Sequence, residues 1–71
     1  MAITLESFSR LPVPEQFYLV LRHGNFQALR FEETYAVTHY LLYNFCADLY
    51  YSGQTDLPER VQVLVFDDYL R

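Results

Sequence analysis

The sequence predicts an α+β fold: two short N-terminal helices packed on a four-stranded antiparallel β-meander. Three observations point there. Residues 4–23 place apolar side chains at helical spacing between capping residues and prolines. Residues 26–66 change to a looser two-residue alternation, rich in Tyr, Phe, Val and Thr, which suit a pleated surface better than a helix. Short polar loops separate the segments of that second half, which favours neighbouring strands running antiparallel.

Thr4 stands where an N-cap belongs, ahead of Leu5, Phe8 and Leu11, so a first helix is expected over residues 5–11. Pro12 stops it by pushing the residue before it out of the α region. Pro14 suits the first position of a second helix over residues 14–23, with Glu15 near its positive end and Gly24 as its stop. Phe17, Val20 and Leu21 are expected to face inward. A buried strand over residues 17–21 is the competing reading, and the capping residues at both ends favour the helix. Strands are then expected over residues 26–31, 35–41 and 45–51, with turns at Glu32–Thr34 and Leu42–Asn44. A Gly- and Pro-bearing loop over residues 52–59 leads to Val61–Phe66, the clearest strand, and Asp67 is expected to cap a last helical turn through Arg71.

Seventy-one residues make a single small domain, 1–71, that buries only about 60–65% of its unfolded surface. The single cysteine, Cys46, allows no intramolecular disulfide, so seven tyrosines and six phenylalanines must supply the core or a partner must supplement it. A homodimer is therefore expected. The net charge is −4, with five dispersed arginines and no lysine, which argues against nucleic acid and against an anionic membrane surface. The N-terminus lacks the basic flank and apolar stretch of a signal peptide, and the longest charge-poor segment, broken by His39, Asn44 and Asp48, is unlike a membrane span. A cytoplasmic setting is the expectation.

Leu11-Pro12 with Glu15-Gln16, the run Gly24-Asn-Phe-Gln-Ala-Leu-Arg30, the hairpin from Tyr40 to Tyr51 and Val63-Leu-Val-Phe66 ahead of Tyr69-Leu70 resemble a group of short uncharacterised bacterial proteins. That group carries the pattern Leu-Pro…Glu-Gln, Gly-x-Phe-x-Ala-x-Arg and Phe-x-x-acidic-x-x-Tyr. This chain has Asp48 where the group has glutamate, and Tyr43-Asn44 where it has a Gly-Asp turn. The resemblance covers most of the chain, implies the same meander and implies no activity.

His39, Cys46 and Asp48 form the one cluster of reactive residue types, and the turn between them decides what they can do. A three-residue turn at Leu42–Asn44 sets Leu41 against Phe45 and His39 against Ala47. It gathers Val37, Leu41, Phe45, Ala47 and Leu49 on one face and Thr38, Tyr40, Cys46, Asp48 and Tyr50 on the other. A two-residue turn sets His39 opposite Asp48 instead, on the face of Cys46. The first register separates core from solvent more cleanly and is the expected one. A Cys46–His39 nucleophile lacks an electropositive setting, the histidines and cysteine match no zinc spacing, and the helix dipole accounts for His23. Glu32-Glu33 and Asp67-Asp68 read as turn and cap residues, and glycines 24 and 53 build no phosphate loop. No catalytic residue, metal or cofactor is expected.

What remains is a surface. Arg30, Thr38, Tyr40, Asp48 and Tyr50 are expected to line the sheet face away from the helices and to form an interaction site. The leading function is a small non-enzymatic protein–protein interaction module that self-associates through this aromatic face or through an edge strand. The second reading is a ligand-binding or enzymatic domain with a pocket between helices and sheet, using His39 and tyrosines. The third is an acidic inhibitor or decoy, for which the scattered carboxylates give no support.

Overall fold

A computed structural model describes residues 3–65, which form two helices followed by a four-stranded antiparallel meander, the expected α+β architecture. Helix α1 covers Leu5–Ser9, and the Thr4 hydroxyl accepts from the Ser7 N–H at 3.1 Å, satisfying a donor that the first turn leaves open. Helix α2 covers Val13–His23, with Pro12 as N-cap, Glu15 in its first turn and Arg22 and His23 in its last, so charge of each sign lies at the end of the dipole that favours it. Gln16 is buried and donates from Nε2 to the Phe8 carbonyl at 3.0 Å, which joins α2 to the end of α1.

Leu21 departs from expectation. It is exposed, and the inward side of α2 is formed by Gln16, Phe17 and Val20, because residues 16 and 20 lie one turn apart on the same face and 21 lies a further 100° round. Gly24 ends α2 in an extended conformation, φ −83°, with its N–H bonded to the Val20 carbonyl at 2.8 Å. Space is what requires glycine here: a Cβ at this position would meet the Val20 carbonyl oxygen at 2.6 Å and the Tyr40 side chain at 3.3 Å.

The sheet runs β1 Asn25–Glu32, β2 Tyr35–Leu42, β3 Phe45–Tyr51 and β4 Arg60–Val65, in that spatial order, so β1 and β4 are its edges. Phe66 and the helical turn expected over residues 67–71 lie outside the described residues. Both tight hairpins have two-residue turns, Glu33-Thr34 and Tyr43-Asn44, and the first residue of each has positive φ, 55° at Glu33 and 40° at Tyr43. The expected three-residue turn is thereby corrected: Leu42 pairs with Phe45 and His39 with Asp48. Asparagine and tyrosine close this turn without the glycine that normally marks the two-residue type, which removed the usual sign of it.

The register sorts the side chains. Leu42, Phe45, Ala47 and Leu49 face the helices and close a core with Phe8 and Val20, around a Phe8–Phe45 ring pair at 5.3 Å. Leu19, Phe17, Tyr40, Tyr51, Val61 and Val63 pack around it. Val37, Leu41, Cys46, Asp48 and Tyr50 lie with His39 on the opposite side.

Gly24→Ala is expected to destabilise the fold by about 1–3 kcal/mol, since backbone stands where the methyl must go. A lowered thermal midpoint, with no change in the native circular-dichroism spectrum at low temperature, is the outcome that checks it.

Candidate functional site

The sheet side away from the helices carries a buried polar cluster rather than an open aromatic plane. Val37, His39, Cys46, Asp48 and Tyr50 are all buried there, Asp48 to 3% exposure. A buried carboxylate must be given partners, because transfer out of water costs several kcal/mol. Asp48 has two: its Oδ1 bonds to Nδ1 of His39, directly opposite on β2, and its Oδ2 accepts from Nη2 of Arg30 at 2.9 Å, reaching across from β1. Arg30 also donates from Nε to Oε2 of Glu32 at 2.8 Å, and from Nη2 to the Tyr50 hydroxyl at 3.3 Å. That hydroxyl lies 3.4 Å from Oε1 of Gln62 on β4 and 3.5 Å from Oε1 of Glu32. Side chains of all four strands are thus joined across one face.

Partial burial alone would pull the Arg30 pKa down, but the hydrogen bonds and charges of Glu32 and Asp48 outweigh it and raise it, so the guanidinium stays charged. The Cys46 thiol is pushed up from its ordinary value, first by burial and then by the negative charge of Asp48. That is the opposite of what a nucleophilic cysteine needs. Arg60 completes this side, its guanidinium carbon 4.1 Å from the Tyr50 ring centre and 5.9 Å from that of Tyr35, which meets Tyr50 edge-on at 5.7 Å.

Of the residues predicted to share one surface, Arg30, Asp48 and Tyr50 come together on this side, and Thr38 and Tyr40 do not. Thr38 and Tyr40 alternate with His39 on β2 and therefore point to the helix side, where Tyr40 packs on the core. The shift of one residue at Tyr43-Asn44 is the cause, since it turns every side chain of β2 over while leaving those of β3 in place. His39, on the side away from the helices, does not line the helix–sheet interface in which a pocket was envisaged. Among the described residues no group of three or more His, Cys, Asp or Glu side chains is placed to hold a metal ion, and no helix is long and apolar enough to cross a membrane.

The surface that sequence reading passed over is β1. All eight of its residues are exposed, although it carries Phe26, Leu29 and Phe31. Pairing steps from Phe26 opposite Tyr40 to Ala28 opposite His39, so Gln27 is an extra residue, a β-bulge. The bulge turns Phe26 onto the helix side, where its ring meets Tyr40 edge-on at 5.6 Å, in line with Leu29 and Phe31. These three apolar side chains are 57%, 53% and 77% exposed. The imperfect alternation of residues 26–31 was the available sign of it. No family model, curated protein or solved structure matches the chain.

Asp48→Ala is expected to cost about 2–4 kcal/mol, less than a fully buried ion pair because Arg30 keeps 42% of its side chain in water. Glu32→Ala, at the exposed end of the same arginine, should cost no more than about 1 kcal/mol. Urea unfolding of both variants checks the contrast, and equal losses would contradict the buried network. Because the Cys46 pKa is raised, its thiol is protonated at neutral pH; alkylation by iodoacetamide at pH 7.5 should be slow in the native protein and should become fast once urea unfolds it.

Proposed function

We propose that this protein is a small, non-enzymatic protein–protein interaction module that self-associates as a homodimer, and that the edge strand β1 is the surface it uses. The observation that carries this reading is the exposure of β1 along its whole length, with Phe26, Leu29 and Phe31 on one side of it. An edge strand offers unpaired N–H and C=O groups to another strand, and monomeric proteins usually blunt such edges with charge or cover them. Here the two charges of β1, Arg30 and Glu32, are turned to the other side of the sheet and bonded to each other. Large apolar side chains are left at the rim.

The alternative working surface, the aromatic sheet face with Arg30, Asp48 and Tyr50, has less in its favour. Asp48 and Tyr50 are already buried and hydrogen-bonded within one copy, so a partner gains little by covering them. A raised Cys46 pKa weighs against an enzymatic reading. A reducing, cytoplasmic setting suits a chain whose one cysteine is a buried free thiol. Membership of the short bacterial group is part of the same proposal and implies no activity.

Sedimentation equilibrium is the test. Wild-type protein is expected to dimerise with increasing concentration, and Phe31→Glu, which replaces a side chain 77% exposed, should keep the native circular-dichroism spectrum while weakening dimerisation by at least about tenfold. A wild-type chain that stays monomeric at millimolar concentration would overturn the proposal.

A further inference from the structure

We infer that the homodimer forms by antiparallel pairing of β1 with β1 of a second copy, about a two-fold axis at Leu29, which makes one continuous eight-stranded sheet. This rests on the reading of β1 as the working surface and adds the partner's orientation and register.

Backbone geometry decides which residues can pair. In a two-residue hairpin the residues flanking the turn form a hydrogen-bonded pair, here Glu32 and Tyr35. Bonding alternates from there, so Arg30 and Ala28 also bond to β2, while the N–H and C=O groups of Leu29 and Phe31 aim at the open edge. A second β1 strand must bond to those outward groups. A two-fold axis on a residue of β1 keeps such groups opposite one another, but at Ala28 it sets Phe31 against Asn25 and Phe26 against Arg30, which leaves the apolar side chains mismatched. Three registers remain, with the axis at Arg30, at Phe31 or at Leu29.

Charge and length separate the three. An axis at Arg30 sets the arginines of the two copies directly opposite each other in a close, non-bonded pair, which is unfavourable. An axis at Phe31 overlaps the strands only near their ends, because β1 stops at Glu32. An axis at Leu29 lies midway between Phe26 and Glu32 and uses nearly the whole strand. Arg30 then faces Ala28 of the partner, a small side chain that leaves the bonds of Arg30 to Asp48 and Glu32 undisturbed.

All three apolar side chains match in this register alone, since an axis at Arg30 pairs Leu29 with Phe31 but leaves Phe26 beyond the partner strand. Leu29 meets its own copy on the axis, and Phe31 comes opposite residue 27 of the partner, where the bulge has turned Phe26 to the same side of the sheet. Phe31 of each copy therefore packs on Phe26 of the other, and all three exposed side chains of β1 find apolar partners. At 57% and 77% exposure the two phenylalanines hold about 200–300 Å² of accessible surface per copy, a substantial part of the roughly 800 Å² per partner that a stable interface buries once strand backbone and Leu29 are added. The interface is isologous and closes on itself, so it yields dimers rather than fibres.

Single cysteines at Gln27, Leu29, Arg30 and Phe31, each in a Cys46→Ala background shown by sedimentation to behave as wild type, test the register by oxidation with copper phenanthroline. With the axis at Leu29, the Cα atoms of Leu29→Cys lie about 5.5 Å apart, within disulfide range, whereas Gln27→Cys and Phe31→Cys pairs are separated by about 14 Å along the strand. Leu29→Cys should cross-link at least roughly tenfold faster than either. Fastest cross-linking at Arg30 or Phe31 would overturn the register while leaving the β1 dimer standing. A stable dimer that cross-links at none of the four would overturn both the register and the use of β1. A monomer by sedimentation would remove the homodimer itself and leave β1 to a strand from a different protein.

Discussion

Asp48 is held almost out of water on a strand where its nearest neighbour is an imidazole, and one side of the sheet is organised around keeping that carboxylate paired. His39 can reach it only because β2 and β3 are joined by a two-residue turn at Tyr43-Asn44, which sets positions 39 and 48 directly opposite each other. Arg30 then supplies the second partner from β1, Glu32 anchors the exposed end of Arg30, and Tyr50 links that arginine towards Gln62 on β4. Hydrogen bonds to a buried charge are roughly twice as strong as neutral ones, and leaving one unmade is correspondingly costly. A single acidic residue thus ties the order and register of the strands together through side chains as well as through the backbone ladder.

The same register determines the other side. With Val37, His39 and Leu41 committed to the polar side, Tyr40 and Leu42 turn towards the helices and join Phe45, Ala47 and Leu49 over Phe8 and Val20. Five- and eleven-residue helices cannot cover four strands, and β1 is the strand left exposed. The two sides therefore differ in what they offer a partner. The polar side has its charges satisfied within one copy, whereas the helix side ends in an apolar strip beside an unpaired backbone edge. For so short a chain, burial of that strip by association would add to the stability that its small core provides.

Most of the architecture was legible because it rests on local chemistry. Thr4, Pro12 and Pro14 mark the starts of helices through backbone effects that need no tertiary context, and β-branched and aromatic residues after Gly24 mark strands. Side-chain placement was less legible, and for specific reasons. Tyr43-Asn44 lacks the glycine of a two-residue turn, and the residues of β2 are apolar or aromatic on both sides, so neither composition nor alternation distinguished its two faces. Thr38 and Tyr40 consequently lie on the helix side rather than on the expected surface, while Arg30, Asp48 and Tyr50 do share a side, where Asp48 and Tyr50 are buried rather than presented. Gln27 hid the strip on β1 in a similar way, since a bulge breaks the parity by which exposed apolar residues are recognised.

Hairpin register is the claim on which both the buried cluster and the free edge depend, and nuclear Overhauser contacts between α-protons read it directly. His39 and Asp48 form a non-hydrogen-bonded pair, counted from the Leu42–Phe45 pair at the turn, which brings their Cα atoms to about 4.5 Å. A strong Hα–Hα contact between His39 and Asp48, with a second between Leu41 and Cys46, is the result this account predicts. A contact between His39 and Ala47 in their place would contradict it, because it would move His39 to the side opposite Asp48 and dissolve the network.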